Sequence, residues 1–195
     1  MQGKIRRVVT GHDASGKAIV LEDGFAPNVR LNPHRPGHIS TELWKTQATP
    51  VIVKSTEPDP TAGPKVQIPP ANGTVFRISE LPPETEAIRS IDAAQAKEIF
   101  KFMGNESGST FGQTQRHPFM HRTETIDYAV VLEGEIVMLL DDVEVHLKAG
   151  DIVIQRGTNH AWSNRSAKPV KMLYVLIDGQ FDPELKEHLD AGRRS

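Results

Sequence analysis

The chain has 195 residues, of which 37% are hydrophobic and none is cysteine. That length suffices for one domain of ordinary size, burying roughly 70% of its unfolded surface, and the cysteine count excludes a disulfide framework, a thiolate metal site and a thiol nucleophile. Lys plus Arg number 23 against 25 Asp plus Glu, a net charge of -2 with no basic stripe or acidic tail, so neither nucleic acid nor a membrane surface is the expected partner and a small molecule is.

The opening stretch MQGKIRRVVTGHD lacks the apolar core of a signal peptide, and no run approaches the ~18 apolar residues of a spanning helix. The expected location is therefore cytoplasmic. Residues 1 to about 85 are rich in Pro and Gly, with strand-like runs at 5–10, 17–21, 51–54 and 74–78. Few of their side chains are apolar, so this half is expected to wrap around something and not to fold alone. Within it, GHDASGKA matches the glycine–lysine spacing of a phosphate loop, but Ala18 stands where a magnesium-binding hydroxyl is needed and the following IVLEDG reads as strand. His34, His38 and Glu42 have helical spacing, yet Pro36 and Gly37 interrupt any helix that would align them, and a surface loop is expected.

Residues 90–104, SIDAAQAKEIFKFMG, place Ala93, Ala96, Ile99 and Phe100 near one stripe with Gly104 as a stop, which predicts a helix, the alternative being an irregular connection. From 126 to 178 the runs IDYAVVLEG, EIVMLLDD, VEVHLKAGD, IVIQRG and VKMLYVLID are apolar or β-branched and end at Gly, Asp-Asp or Pro. That is the pattern of an antiparallel sandwich or barrel. His146 alternates with Val145 and Leu147 and is expected to face solvent or the second sheet. The tail DPELKEHLDAGRRS reads as a short helix with Asp182 as cap and Pro183 at its first position.

Residues 117–178 resemble the cupin superfamily, whose first motif is a glycine, a His-x-His pair, a glutamate three or four residues on, and a glycine six residues later. Here His121 takes the first His position, Thr123 the second, Asp127 the glutamate position, and six residues separate Asp127 from Gly134. AGDIVIQRGTNHAWSN resembles the second motif through Gly150, Asp151, Gly157, His160 and Asn164, without the usual proline before Gly157. The chain as a whole is similar to small cupin-domain proteins of bacteria and fungi with HRTxTIDY and QRGTxHAW signatures. The resemblance implies an all-β, double-stranded β-helix or jelly-roll core over 108–178, an N-terminal extension over 1–107 packed on it, and a helical tail over 179–195.

It also implies a site. Residues of equal parity share a strand face, and neighbouring motif strands would let His121, Asp127 and His160 converge as two imidazoles and a carboxylate. That set suits non-haem iron and is compatible with zinc, manganese or nickel. The alternative is a hydrogen-bonded His121–Asp127 pair inside the barrel, with Thr123 bonded to backbone. Arg156 is expected either to meet a substrate carboxylate or enolate at the barrel mouth or to form a surface salt bridge. Phe119 and Trp162 are candidates for an apolar pocket lining with Thr123 beside them, and Tyr128, of opposite parity to Asp127, is expected to face away. Two functions remain open: a metal-dependent enzyme that oxidises, decarboxylates or isomerises an oxygenated acid, aromatic or polyketide-like substrate through an enolate, or a binding or sensing barrel without metal. A homodimer is expected because strand-like runs in the first half lack a core of their own and bare edge strands are usually covered.

Overall fold

The computed structural model describes residues 3–64, 66–113 and 116–191. Strands β1 (Arg6–His12) and β2 (Ala18–Phe25) form an antiparallel hairpin. Its turn is closed by the Asp13 carboxylate, which accepts from Ser15 N at 2.8 Å, Ser15 Oγ at 2.7 Å and Lys17 N at 3.0 Å, with Gly16 at φ 82°. The stretch that imitates a phosphate loop is thus a self-satisfied Asx-type turn.

Then follow β3 (Val29–Leu31), β4 (Ile39–Thr46), β5 (Thr74–Leu81), α1 (Glu86–Arg89) and α2 (Ala93–Phe102). The second half holds β6 (Thr125–Glu133), β7 (Glu135–Leu139), β8 (Glu144–Lys148), β9 (Ile152–Arg156), β10 (Ala161–Ser163), β11 (Val170–Asp178) and α3 (Pro183–Ala191). These strands pair antiparallel in two further sheets, ordered β3-β4-β5-β11-β6-β9 and β10-β7-β8. The core is all-β, as expected of a jelly roll.

The two sheets meet through side chains of one parity. Ala129, Val131, Met172 and Leu81 of the larger sheet pack on Ile136, Met138, Leu147 and Trp162 of the smaller. Alternate residues of β7, Val137 and Leu139, join Ala161 on the opposite face and are covered by Ile88, Ile99 and Phe100 from the two helices. Each such apolar side chain contributes about 1.5–3 kcal/mol when buried, and the period-two alternation sends β7 into two cores at once. Helix α2 starts at a capping box in which Asp92 accepts from Gln95 N and Gln95 accepts from Asp92 N. Helix α3 starts as expected, with Asp182 accepting from Glu184 N at 3.0 Å.

The first half departs from its sequence reading in two ways. Residues 51–54 form no strand, and Ile52 is 78% exposed. Conversely, β3 and β4 are strands that the sequence reading passes over. Ser40, Thr41 and Glu42 of β4 are all buried, so the strand carries no apolar–polar alternation to betray it. Glu42, read as part of a surface loop, lies 3.3 Å from Arg77 Nε and 3.7 Å from Lys45 Nζ in buried ion pairs. Residues 1–107 therefore supply β3, β4 and β5 to the main sheet in addition to the outer hairpin. Among the described residues no helix is long and apolar enough to cross a membrane.

Candidate active site

A cavity of about 130 Å³ lies on the inner face of the larger sheet. Asp127, Arg77, Ser79, Leu81, Tyr174 and Leu176 line it from the sheet, Phe100 from α2 and Met103 just beyond its end, Gln67 from the β4–β5 connection, and Asn32, Arg35 and His38 from the β3–β4 loop. Phe119, His121, His160 and Trp162 complete it.

His121 and His160 are held opposite each other by a two-bond antiparallel bridge, each backbone N donating to the other's O at 2.9 Å. Their ring centroids are 4.3 Å apart. His121 Nδ1 donates to Phe119 O at 2.9 Å. Gln155 accepts from Gly157 N, and its Nε2 donates to Thr158 O and lies 2.8 Å from His160 Nδ1. His160 Nδ1 also lies 3.0 Å from Thr158 O, which can only accept, so a proton on Nδ1 is bonded by that carbonyl, whereas an unprotonated Nδ1 accepts from the Gln155 amide. Burial holds His121 below the ordinary histidine range, and burial reinforced by the neighbouring imidazole drives His160 down to about 3. Both rings are neutral at physiological pH.

Asp127 sits on β6 between Gln155 of β9 and Leu176 of β11 and shares an inward face with Thr125 and Ala129. It is 8% exposed, and its Oδ1 makes no hydrogen bond. Burial raises its carboxyl to about 6 against the opposing pull of the Thr125 hydroxyl and Arg77. Arg77 itself is committed, donating from Nη2 to Val66 O at 2.8 Å and pairing with Glu42. Burial also pushes the Tyr174 hydroxyl well above the ordinary tyrosine range.

A profile of the Cupin domain family matches residues 110–176. Over 183 residues, covering 89% of this chain and 78% of the relative, the sequence is 32% identical to Phomopsin biosynthesis cluster protein C' of Diaporthe leptostromiformis. The chain belongs to the cupin superfamily. It is also 27% identical over 188 residues to the cupin-domain-containing oxidoreductase fogC of Aspergillus ruber, covering 90% of this chain and 73% of that one. Among solved structures, the cupin domain of Schizosaccharomyces pombe Cnp3 aligns with a TM-score of 0.44 at 10% identity, covering 96% of this chain and 95% of that one.

Five of the residues singled out in the sequence, Phe119, His121, Asp127, His160 and Trp162, line this cupin's cavity together. Thr123 does not line it: it is buried with its hydroxyl 2.7 Å from that of Thr125. Arg156 is exposed and stands opposite Ile126 on the outer face, while its neighbour Gln155 is buried opposite Asp127. Parity places the guanidinium outside and the amide inside, so the mouth-lining role expected of Arg156 is corrected. Arg35, His38, Arg77 and Tyr174 were missed. Tyr174 alternates with the buried Met172 and Leu176, a readable signal. Arg35 has none, because it lies in a polar loop beside Pro36.

Family resemblance implies a divalent metal, and the donors can be tested against it. Among the described residues, no three His, Cys, Asp or Glu side chains gather closely enough to hold a metal ion. His121 offers a free Nε2 lone pair, His160 has its Nδ1 engaged by Gln155 and Thr158, and Asp127 is drawn towards Thr125 and Arg77 and away from the imidazoles. The donor set does not fit a three-ligand centre, and no step below is routed through a metal.

Proposed function

We propose that this cupin is a small-molecule enzyme that moves a proton at the carbon next to a carbonyl, with Asp127 as the base. The observation that carries the reading is the buried Asp127 carboxylate, whose Oδ1 has no partner in a cavity walled by aromatic rings. In the proposed step the C–H electron pair moves onto the carbonyl oxygen, forming an enolate, and the proton goes to Asp127. Return of that proton to a different carbon completes an isomerisation. Enolates are equally the first product of decarboxylating a β-keto acid, so oxygenated acids and aromatic ketones are the substrate classes to test. The relatives whose names read cupin-domain-containing oxidoreductase support an enzymatic role. A base raised to about 6 suits work near neutrality, where it is ionised yet basic enough to accept a proton.

The test is proton NMR in deuterium oxide with a panel of 2-oxo acids, β-keto acids and one-ring aryl ketones. Wild-type protein is expected to exchange the α-proton of at least one member, and Asp127→Asn to slow this by about 10²-fold or more. Equal exchange by Asp127→Asn, or none across the panel, overturns the reading. A second reading, a binding barrel without chemistry, is favoured by the incomplete metal donor set. It is distinguished by ligand affinity that survives both chelator and Asp127→Asn while no exchange occurs. We also propose that the chain forms a homodimer, supported by the exposed apolar face that edge strand β9 shares with β6.

A further inference from the structure

The β3–β4 loop carries a buried cation, Arg35, whose Nη2 has no hydrogen-bond partner among the described residues. Arg35 is 7% exposed, lines the cavity, and its guanidinium carbon lies 5.0 Å from the centroid of the Phe119 ring. Its Nη2 is buried and makes no hydrogen bond. Glu84 is the carboxylate that acts on it electrostatically, but both Glu84 oxygens are engaged elsewhere, Oε1 by His117 Nε2 at 2.7 Å and Oε2 by Ser163 Oγ at 2.9 Å. Leaving a buried charged donor unmade is costly. The loop is nevertheless held in place, with Arg35 N donating to Asn32 O and His38 N to Arg35 O.

We propose that Arg35 receives the carboxylate of a one-ring or short-chain organic acid bound in this cavity. Guanidinium is the side chain best matched to a planar carboxylate, and desolvated charge-assisted hydrogen bonds are the strong ones. The size limit comes from the cavity, since about 130 Å³ is comparable with engineered cavities that accept benzene. Phe119, Trp162 and Phe100 would flank the ring while Arg35 fixes the acid end. Asp127 lines the same cavity from β6 of the larger sheet, so an acid anchored at Arg35 would share the cavity with the proposed base. This inference deepens the proton-transfer reading and rests on it for the ligand's role, not for its binding.

Binding is read without turnover. Trp44→Phe leaves Trp162 as the sole tryptophan, and its fluorescence reports the cavity directly. Benzoate is titrated against benzamide, which has the same shape without the charge. In the Trp44→Phe protein benzoate is expected to bind about tenfold or more tightly than benzamide, and Arg35→Gln to abolish that preference by weakening benzoate alone. Arg35→Lys, which keeps the charge and loses the fork, is expected to fall between. Should Arg35→Gln fail to fold, nitrogen-15 NMR of the arginine side chains in the otherwise native chain replaces it, with one guanidinium signal shifting on addition of benzoate and not of benzamide. Equal affinity for the two probes, no saturable benzoate binding, or an unchanged benzoate affinity in Arg35→Gln overturns the proposal. Arginine-dependent benzoate binding without any proton exchange would retain it and sink the proton-transfer reading instead.

Discussion

Asp127→Asn is expected to make the protein more stable at pH 8, which is the reverse of what most substitutions in a core do. The carboxyl lies at about 6 in the folded chain against an ordinary 3.8, so the folded state holds its proton more tightly than the unfolded state. Stability linked to this group is then greatest below pH 3.8 and falls as pH rises towards 6, above which the full cost of an ionised, buried carboxylate is present. At 1.36 kcal/mol per pH unit the difference amounts to about 3 kcal/mol. An asparagine has no charge to desolvate, so urea unfolding of the two proteins should show the variant ahead by up to about 3 kcal/mol at pH 8, shrinking towards zero near pH 4. Taking the difference between the proteins cancels the other titrating groups. A gap that does not change with pH, or a variant that is weaker at pH 8, would refute the claim that burial dominates over Arg77 and Thr125 at this position. A confirmed gap would identify Asp127 as a residue kept at the expense of stability, the usual mark of a functional group.

Three other outcomes follow from the structure. Asn164 is fully buried and donates from Nδ2 to Leu81 O and Lys168 O while its Oδ1 accepts from Ser166, so Asn164→Ala should lower unfolding free energy by about 3 kcal/mol in urea titrations, through carbonyls left unpaired. On the outer face of β9, Ile152 is 67% and Ile154 54% exposed, beside Ile126 and Tyr128 of β6; sedimentation should show a dimer at micromolar concentration that Ile154→Asp converts to the 21.6 kDa monomer, and a monomeric wild type would end the dimer proposal. Equilibrium dialysis against zinc should find weak binding that is abolished in the His121→Ala, His160→Ala double variant, whereas tight stoichiometric binding would mean that a third donor joins the imidazoles.

What the sequence disclosed, and what it hid, follow one physical divide. The second half was legible because its strands are half-buried and alternate, so the parity of β6 alone put Asp127 inside and Tyr128 outside, as found. The spacing of the two motifs likewise put His121 and His160 on facing backbone, where they now form a bridge. Arg156 stayed open between a substrate contact and a surface salt bridge because its distance from Gly157 and His160 says nothing of which face it takes, and the pairing of Gln155 with Asp127 puts it on the outer one. β4 went unread because its polar residues are buried by pairing, Glu42 with Arg77 across the sheet, and such compensation is invisible in one strand's own sequence.

Arg35 shows the consequence for function. Its guanidinium stacks over Phe119, a residue far along the chain, so no local pattern marks it. The residues that match the family profile supply the imidazole pair, Asp127 and the rings of Phe119, Trp162 and Tyr174, whereas Arg35, His38 and Arg77 come from outside the matched 110–176 segment. The cavity is therefore composite, with Asp127 and the imidazoles from the matched segment and Arg35 from the N-terminal half, and the two proposals assign the proton transfer to the first and the selection of an acid to the second. If that division of labour is right, changing Arg35 should alter which ligand is held while leaving the barrel and its base intact, and changing Asp127 should do the opposite.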